Sequence, residues 1–255
     1  MRIAIIGCGN MGTALAQRLS KGNELFLHGR DPVWTEGLEK DGFGRSCRQI
    51  RDAIHQAEMV ILAVKPDHLE EVADQISSSM KAEQILVSVL AGVTLETLKS
   101  YFPTPQLVRM MPNLSVTQGE GVIGLVSESH QQQAELSKLF KPLGKLYWLP
   151  EEKIDALTAL TGSGPAFLFA IIESMVEAGV AMGFSAQVAQ EMVIQMIKGS
   201  VTLLEETKKH PAELKWRIAS PGGTTIAGLV ELERSNLRSA VIEPFLAAYN
   251  RAKGI

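Results

Sequence analysis

The groups best able to hold a ligand lie in three short stretches. They are Gly7-Cys8-Gly9-Asn10-Met11-Gly12, Thr161-Gly162-Ser163-Gly164-Pro165 and Ser220-Pro221-Gly222-Gly223-Thr224-Thr225. The first is a Gly-x-Gly-x-x-Gly run. In such a turn Gly7 makes the bend, Gly9 lets a pyrophosphate approach the backbone, and Gly12 lets the following helix rest on the preceding strand. The N–H groups and positive dipole end of that helix face the phosphate. A merely tight structural turn has the same residues, so the flanking elements decide between the two. The other two stretches are small-residue loops feeding helix-periodic segments. Backbone N–H groups and hydroxyls there hold an anion such as a carboxylate without a charged side chain. Ordinary helix capping uses the same residue types.

The elements around the first stretch favour a dinucleotide. Ile3-Ala4-Ile5-Ile6 is the unbroken apolar run of a parallel strand covered on both faces. Beyond the turn, Met11, Ala14, Leu15 and Leu19 share one helical face. A second strand, Glu24–His28, ends at Gly29-Arg30-Asp31-Pro32. The place roughly 20 residues beyond the glycine loop is where an acidic side chain would hold the ribose 2′-hydroxyl of NAD. Arg30 stands there instead, and a guanidinium suits the 2′-phosphate of NADPH. The plainer alternative is a solvated Arg30 beside Asp31 acting as an N-cap before Pro32. NADPH is the expected cofactor, with NADH possible.

Strands are expected at Met59–Val64, Ile85–Val89, Gln106–Met110, Val122–Val126 and Lys145–Trp148. Helices alternate with them at Trp34–Lys40, Asp67–Ile76, Thr94–Tyr101 and Gln131–Leu139. The alternation predicts an α/β, Rossmann-type domain over residues 1–149, with ligands at the strands' carboxyl ends. Val64-Lys65-Pro66, Leu90-Ala91-Gly92 and Met111-Pro112-Asn113 lie at such ends. Lys65 faces either cofactor or water. After Pro150 the alternation stops. Asp155–Leu160, Pro165–Met182, Ala186–Leu204, Ala212–Ile218, Thr224–Leu232 and Arg238–Lys253 read as helices, giving an all-α domain over 150–255. Helix Pro165–Met182 is apolar nearly all round and needs cover from every side. A small helical domain has limited means to supply it, so the expectation is a homodimer, or a ring of dimers, joined through this half.

Composition narrows the class. The chain has 255 residues, 45% of them hydrophobic and 21% charged, with a net charge of −3. That balance gives no electrostatic case for nucleic acid or an anionic membrane. Cys8 and Cys47 make neither a disulfide framework nor a metal cluster, and no metal is expected. Cys8 reads as a small packed residue rather than a nucleophile. The longest late apolar run, Ala166–Ile172, falls short of the ~20 residues of a membrane helix. The N-terminus reads as a strand rather than a leader, so the expected location is the cytoplasm.

At this point a resemblance becomes specific. The glycine loop, Leu62-Ala63-Val64-Lys65-Pro66, Ala91-Gly92-Val93-Thr94, Met111-Pro112-Asn113, Thr161 to Phe167, His210-Pro211 and Ser220 to Thr225 resemble, in order, the stretches of pyrroline-5-carboxylate reductases. The resemblance implies a Rossmann domain, a helical dimerisation domain, NAD(P)H, and reduction of a cyclic imine carboxylate to L-proline. It implies cofactor contacts at Ile6, Gly7, Cys8, Gly9, Asn10, Met11, Ala63, Val64, Lys65, Pro66 and Ala91. Arg30 joins that set from its position. The same resemblance implies substrate contacts at Glu151, Thr224 and Thr225. To these we add Ser163, Gly222 and Gly223, and assign the N–H groups near Gly222 to Thr224 to the carboxylate and the Thr225 hydroxyl to the ring nitrogen. Three places depart from the family pattern: Ile50 where an Asn is frequent, Trp216-Arg217 where Asp-Asn is usual, and Leu114-Ser115 where Thr-Pro is common. A hydroxyacid dehydrogenase of the 6-phosphogluconate type is a rival, but it uses a lysine on the first long helix of the second domain, and Pro165–Met182 has none. A non-catalytic NADPH-binding sensor would need the first domain but not the two hydroxyl-rich loops.

Overall fold

The computed structural model describes residues 1–254. Eight strands form one sheet: β1 (Arg2–Ile6), β2 (Glu24–His28), β3 (Arg45–Ser46), β4 (Met59–Leu62), β5 (Ile85–Ser88), β6 (Gln106–Pro112), β7 (Gly121–Ser127) and β8 (Gly144–Trp148). Their spatial order is β3-β2-β1-β4-β5-β6-β7-β8. Every neighbouring pair is parallel except β6 with β7. The chain leaves β1 toward β2 on one side and returns to β4 on the other. This reversal is the switch point at which doubly wound sheets bind ligands.

Side-chain alternation explains the apolar strands. Ala4, Ile6, Phe26, Val60, Leu62 and Leu86 enter one core, while Ile3, Ile5, Leu25, Leu27, Met59, Ile61 and Val87 enter another. Successive residues of a strand point to opposite faces, so covering both faces makes every position apolar. The helices between strands are α1 (Asn10–Leu19), α2 (Pro32–Lys40), α3 (Ile50–Gln56), α4 (Leu69–Ile76), α5 (Leu95–Tyr101) and α6 (Gln133–Phe140). Local capping sets several of their starts. The Asp31 carboxylate accepts the N–H of Val33 ahead of Pro32, and the Thr94 hydroxyl accepts that of Thr97.

The chain forms two compact units, Met1–Gly162 and Ser163–Ile255. The first ends in α7 (Ile154–Leu157) and all but the last residue of a π turn over Thr158–Ser163. The second contains α8 (Gly164–Ala181), α9 (Ala186–Thr207), α10 (Pro211–Ile218), α11 (Thr224–Arg234) and α12 (Leu237–Ala252). The Ser185 hydroxyl and the His210 ring cap α9 and α10. Gly179 lets α8 meet α9, because a Cβ there would lie 2.7 Å from that of Ala189. Phe167 of α8 meets Phe245 of α12 edge-on, with centroids 5.0 Å apart. Yet Gly179 is the only buried residue of the eighteen in α8, and Leu168, Phe169, Ile171, Met175 and Val180 are exposed. The helical stretch Glu151–Ala181 is long and apolar enough to cross a membrane, with a mean hydropathy of 1.4 over its most apolar window. The uninterrupted run Ala166–Ile172 is much shorter, because Glu173 and Glu177 break the apolar sequence beyond it.

The loop expected at Thr161–Pro165 is not a loop. The backbone is helical throughout, and the π turn runs into α8 with no side-chain cap at Ser163. A fresh helix N-terminus with free N–H groups is therefore not formed there. The loop expected at Ala219–Thr225 is formed. The Gly223 N–H meets the Ser220 carbonyl at 3.1 Å, and Gly222 has φ +69°. Pro at the second and Gly at the third position make this a type II turn, which requires a residue tolerant of positive φ.

Candidate functional site

Each glycine of the N-terminal loop has a separate spatial cause. Gly7 has φ +99°, and a Cβ on it would lie 2.7 Å from the Ala63 backbone at the end of β4. A Cβ on Gly12 would overlap the Gly7 carbonyl oxygen. Gly9 faces open space, with no atom within 4 Å of a built Cβ. It precedes α1, whose first intrahelical bond runs from Thr13 N–H to Gly9 C=O at 2.8 Å. The N–H groups of the first turn are left without intrahelical acceptors beside that space. This is a cradle for a pyrophosphate, and it fits a dinucleotide.

A cavity of about 410 Å³ opens over the switch point. Of the residues expected at the cofactor, Ile6, Gly7, Cys8, Gly9, Asn10, Arg30, Ala63, Val64 and Lys65 line it. Met11, Pro66 and Ala91 do not. Met11 packs against the core, Pro66 opens a 3₁₀ turn, and Ala91 is exposed in the turn after β5. The cavity also takes in His28, Trp34, Thr35, Ile50, His68 and Val72. Of these only Ile50 carried a sequence signal, as a departure from the family's Asn. The His28 ring nitrogen Nδ1 lies 3.0 Å from the Cys47 carbonyl. The Trp34 indole N–H donates to the Thr13 hydroxyl at 3.1 Å, and that hydroxyl donates to the Cys8 carbonyl at 3.2 Å. The thiol of Cys8 is pushed up to about 12 by burial, partly offset by its hydrogen bond to His28. It stays protonated and serves packing.

Arg30 is exposed where it lines the cavity. Its neighbour Asp31 caps α2, which leaves the exposed guanidinium available to a 2′-phosphate or to water. Arg30→Ala is expected to raise the dissociation constant of NADPH about tenfold, the scale of one charge-assisted hydrogen bond, and to change that of NADH less than twofold. Fluorescence titration with both cofactors checks this. Equal weakening of the two would assign Arg30 a structural role.

Glu151 lies outside the cofactor cavity, in the 3₁₀ turn Glu151–Lys153 that follows β8. Its Oε1 accepts the Leu95 N–H at 2.7 Å, at the start of α5, and the Arg109 Nη1–H at 3.2 Å. Arg109 is 3% exposed, lies 3.9 Å from Asp155, and its Nε has no partner. Glu151 also lines a cavity of about 720 Å³ with Leu95, Lys99, Glu128 and Trp148. In the helical unit, Thr225 is half-buried in the first turn of α11, while Gly222 and Thr224 are exposed. Trp216, at a departure from the family pattern, is exposed on α10 with the Lys215 ammonium 5.0 Å from its ring centroid.

Two family descriptions match this chain. One, for NADP oxidoreductases dependent on coenzyme F420, covers residues 2–92. The other, for pyrroline-5-carboxylate reductase dimerisation, covers residues 151–255. The pyrroline-5-carboxylate reductase of Synechocystis is 33% identical over 261 residues, spanning 99% of this chain and 97% of that protein. The chain belongs to the pyrroline-5-carboxylate reductase family. Solved structures of that family superpose over its whole length. The pyrroline carboxylate reductase of Plasmodium falciparum, with NADP bound, has a TM-score of 0.89 at 27% identity, covering 100% of this chain and 97% of its own. The 1-pyrroline-5-carboxylate reductase of Streptococcus pyogenes also has a TM-score of 0.89, at 30% identity, covering 99% and 98%. The family's Rossmann and helical architecture is the one described above.

Proposed function

We propose that this chain reduces L-1-pyrroline-5-carboxylate to L-proline with NADPH. The observation that carries the reading is the glycine cradle at the switch point, in a chain of this family that also has the Ser220–Thr225 helix-opening turn. We assign residues 1–149 to cofactor binding and residues 150–255 to substrate binding and dimerisation.

The cofactor, when bound, supplies the hydride that reduces the ring C=N bond. The N–H groups from Gly9 into α1 would hold its pyrophosphate, with Ile6, Gly7, Cys8, Asn10, Ala63, Val64 and Lys65 lining the same cavity and the exposed Arg30 there to meet the 2′-phosphate. Met11, Pro66 and Ala91, outside that lining, are left out of the cofactor set. Substrate contacts fall to Glu151, Ser163, Gly222, Gly223, Thr224 and Thr225. The N–H groups entering α11 receive the carboxylate, where the helix dipole favours negative charge. The Thr225 hydroxyl accepts the N–H of the protonated imine and fixes the ring's orientation. Imines protonate readily, so no strong acid is required. Holding two reactants in register supplies several kcal/mol, roughly 7–11 at the upper end.

NADPH oxidation with pyrroline-5-carboxylate, set against a panel of keto acids, tests the activity. Turnover confined to the imine supports it. Turnover with keto acids alone, or cofactor binding with no turnover, overturns it. Thr225→Val is expected to lower kcat while leaving NADPH affinity nearly unchanged, since a hydrogen bond to a charged group contributes about 1.5–3 kcal/mol. Wild-type steady-state kinetics in that variant would remove Thr225 from the reaction.

We further propose that the working form is a homodimer, or a ring of dimers, in the cytoplasm. Support comes from the exposed apolar face of α8 and from the match to the family's dimerisation region. Glu173 and Glu177 interrupt that face, which suits a protein partner better than lipid. The two cysteines are free, in keeping with a reducing compartment.

A further inference from the structure

The π turn at Thr158–Ser163 has an identifiable cause. In an α-helix the carbonyl of Thr161 accepts the N–H of residue 165, and residue 165 is proline. Proline has no N–H, and its ring crowds the carbonyl four residues earlier. The backbone widens over Thr158–Ser163. Such π turns relieve a local misfit within a helix and recur at functional sites. Around it, the Thr158 hydroxyl donates to the Ile154 carbonyl at 2.8 Å and the Thr161 hydroxyl to the Leu157 carbonyl at 2.9 Å.

The Thr161 carbonyl does not go without a partner. The Asn113 side chain donates to it through Nδ2–H at 2.9 Å. The other end of the same amide is equally fixed, because Oδ1 accepts the Val122 N–H at 3.0 Å. β6 and β7 pair in register up to Pro112 opposite Ile123, so Asn113 stands where Val122 is next in line. There its backbone turns away into the 3₁₀ turn Leu114–Gln118, and the side-chain amide continues the ladder in its place. Asn113 is 7% exposed. One face of the amide meets a donor and the other an acceptor, which only an amide in this orientation satisfies.

We propose that Asn113 is a positioning residue for the reduction. Its amide replaces the hydrogen bond that Pro165 removes, and so holds the π turn in the shape that presents Gly162 and Ser163. The inference rests on the reading above in placing Ser163 at the substrate. Asn113→Asp keeps the bond from Val122 but turns a carboxylate oxygen toward the Thr161 carbonyl. Asn113→Ala loses both bonds. Pro165→Ala restores an N–H at the position from which an ordinary helix would satisfy Thr161.

The test is a double-mutant cycle on the full-length enzyme. Asn113→Ala is expected to lower kcat/KM for pyrroline-5-carboxylate roughly tenfold, through KM, with NADPH affinity changed less than twofold. Asn113→Asp should lower it further. In the Pro165→Ala background the effect of Asn113→Ala should shrink to about twofold, a non-additivity expected only of residues sharing one acceptor. Hydrogen exchange at the amides of Gly162, Ser163 and Gly164, measured without substrate, should rise in Asn113→Ala and return toward wild type in the double variant. Additive effects of the two substitutions would overturn the proposal. So would equal weakening of substrate and cofactor together with a lowered melting temperature. If the wild type fails to turn over the imine, the functional reading fails, and the exchange experiment still decides whether Asn113 holds the turn that Pro165 opens.

Discussion

Gly9→Ala is expected to fold as the native chain does and yet to bind NADPH about a hundredfold more weakly, a loss of about 2.7 kcal/mol. The backbone at Gly9 has φ −76° and ψ −161°, which alanine adopts without strain. Its added methyl meets no protein atom within 4 Å. The space it enters is that in which a phosphate must approach the first N–H groups of α1, so the effect falls on the ligand. Gly12→Ala is the opposite case. Its Cβ overlaps the Gly7 carbonyl and lies 3.4 Å from the Ala63 Cβ. Helix, loop and β4 must then part, so both the melting temperature and NADPH affinity fall. Thermal unfolding and cofactor titration on both variants separate the two jobs. Wild-type affinity in Gly9→Ala would show that no phosphate comes close at that point.

The contrast between these glycines was legible in the sequence because it follows from local spacing. The strand before the loop, the turn and the helix after it lie within nineteen consecutive residues, and β2 runs over Glu24–His28 as its composition indicates. What escaped lacks a local signal or depends on distant partners. α3 is seven residues long, and Gln49 provides no side-chain cap. Its buried Ile50, Ala53 and Ile54 show helical spacing over barely two turns. β3 has only two residues. Burial of Arg109 inside a strand is not a property of its neighbours in sequence. The charge is met by Glu151, 42 residues on, whose Oε1 accepts from the Arg109 Nη1–H. The Thr161–Pro165 stretch misled for a physical reason. A Gly-Pro pair commonly opens a new element, but here the backbone stays helical through the proline, and the Thr161 carbonyl takes its hydrogen bond from Asn113, 48 residues upstream. Trp34 and His68 reach the cofactor cavity from separate turns of the fold, and nothing in their own surroundings announces it.

Phe169→Glu is expected to abolish the assembly, and with it a folded, active helical unit. Phe169 is 62% exposed, in an eighteen-residue helix of which only Gly179 is buried. α9 repeats the pattern: Val188, Met192, Ile194, Met196 and Val201 are exposed, and Ala189 alone of twenty-two residues is buried. Scattered exposed apolar residues are ordinary, but two long apolar helices with hardly a buried position expose far more than a monomer's usual share, the kind of surface that marks an interface. Obligate interfaces of this type bury on the order of 2,000 Å² or more and resemble a domain core cut in half. Their two-fold symmetry presents each substituted residue twice, so one change places two carboxylates in the interface. An unpaired carboxylate there loses its hydration without gaining a partner, so the associated state is disfavoured far more than the separated one. The separated chain still exposes Leu168, Ile171 and Met175, which favours unfolding or aggregation over a stable monomer. Sedimentation velocity with activity assays across a dilution series decides the matter. The wild type should remain at least dimeric at nanomolar concentration, and Phe169→Glu should be neither dimeric nor active. A folded, active monomer of the wild type at that dilution would show that α8 and α9 need no second copy to cover them.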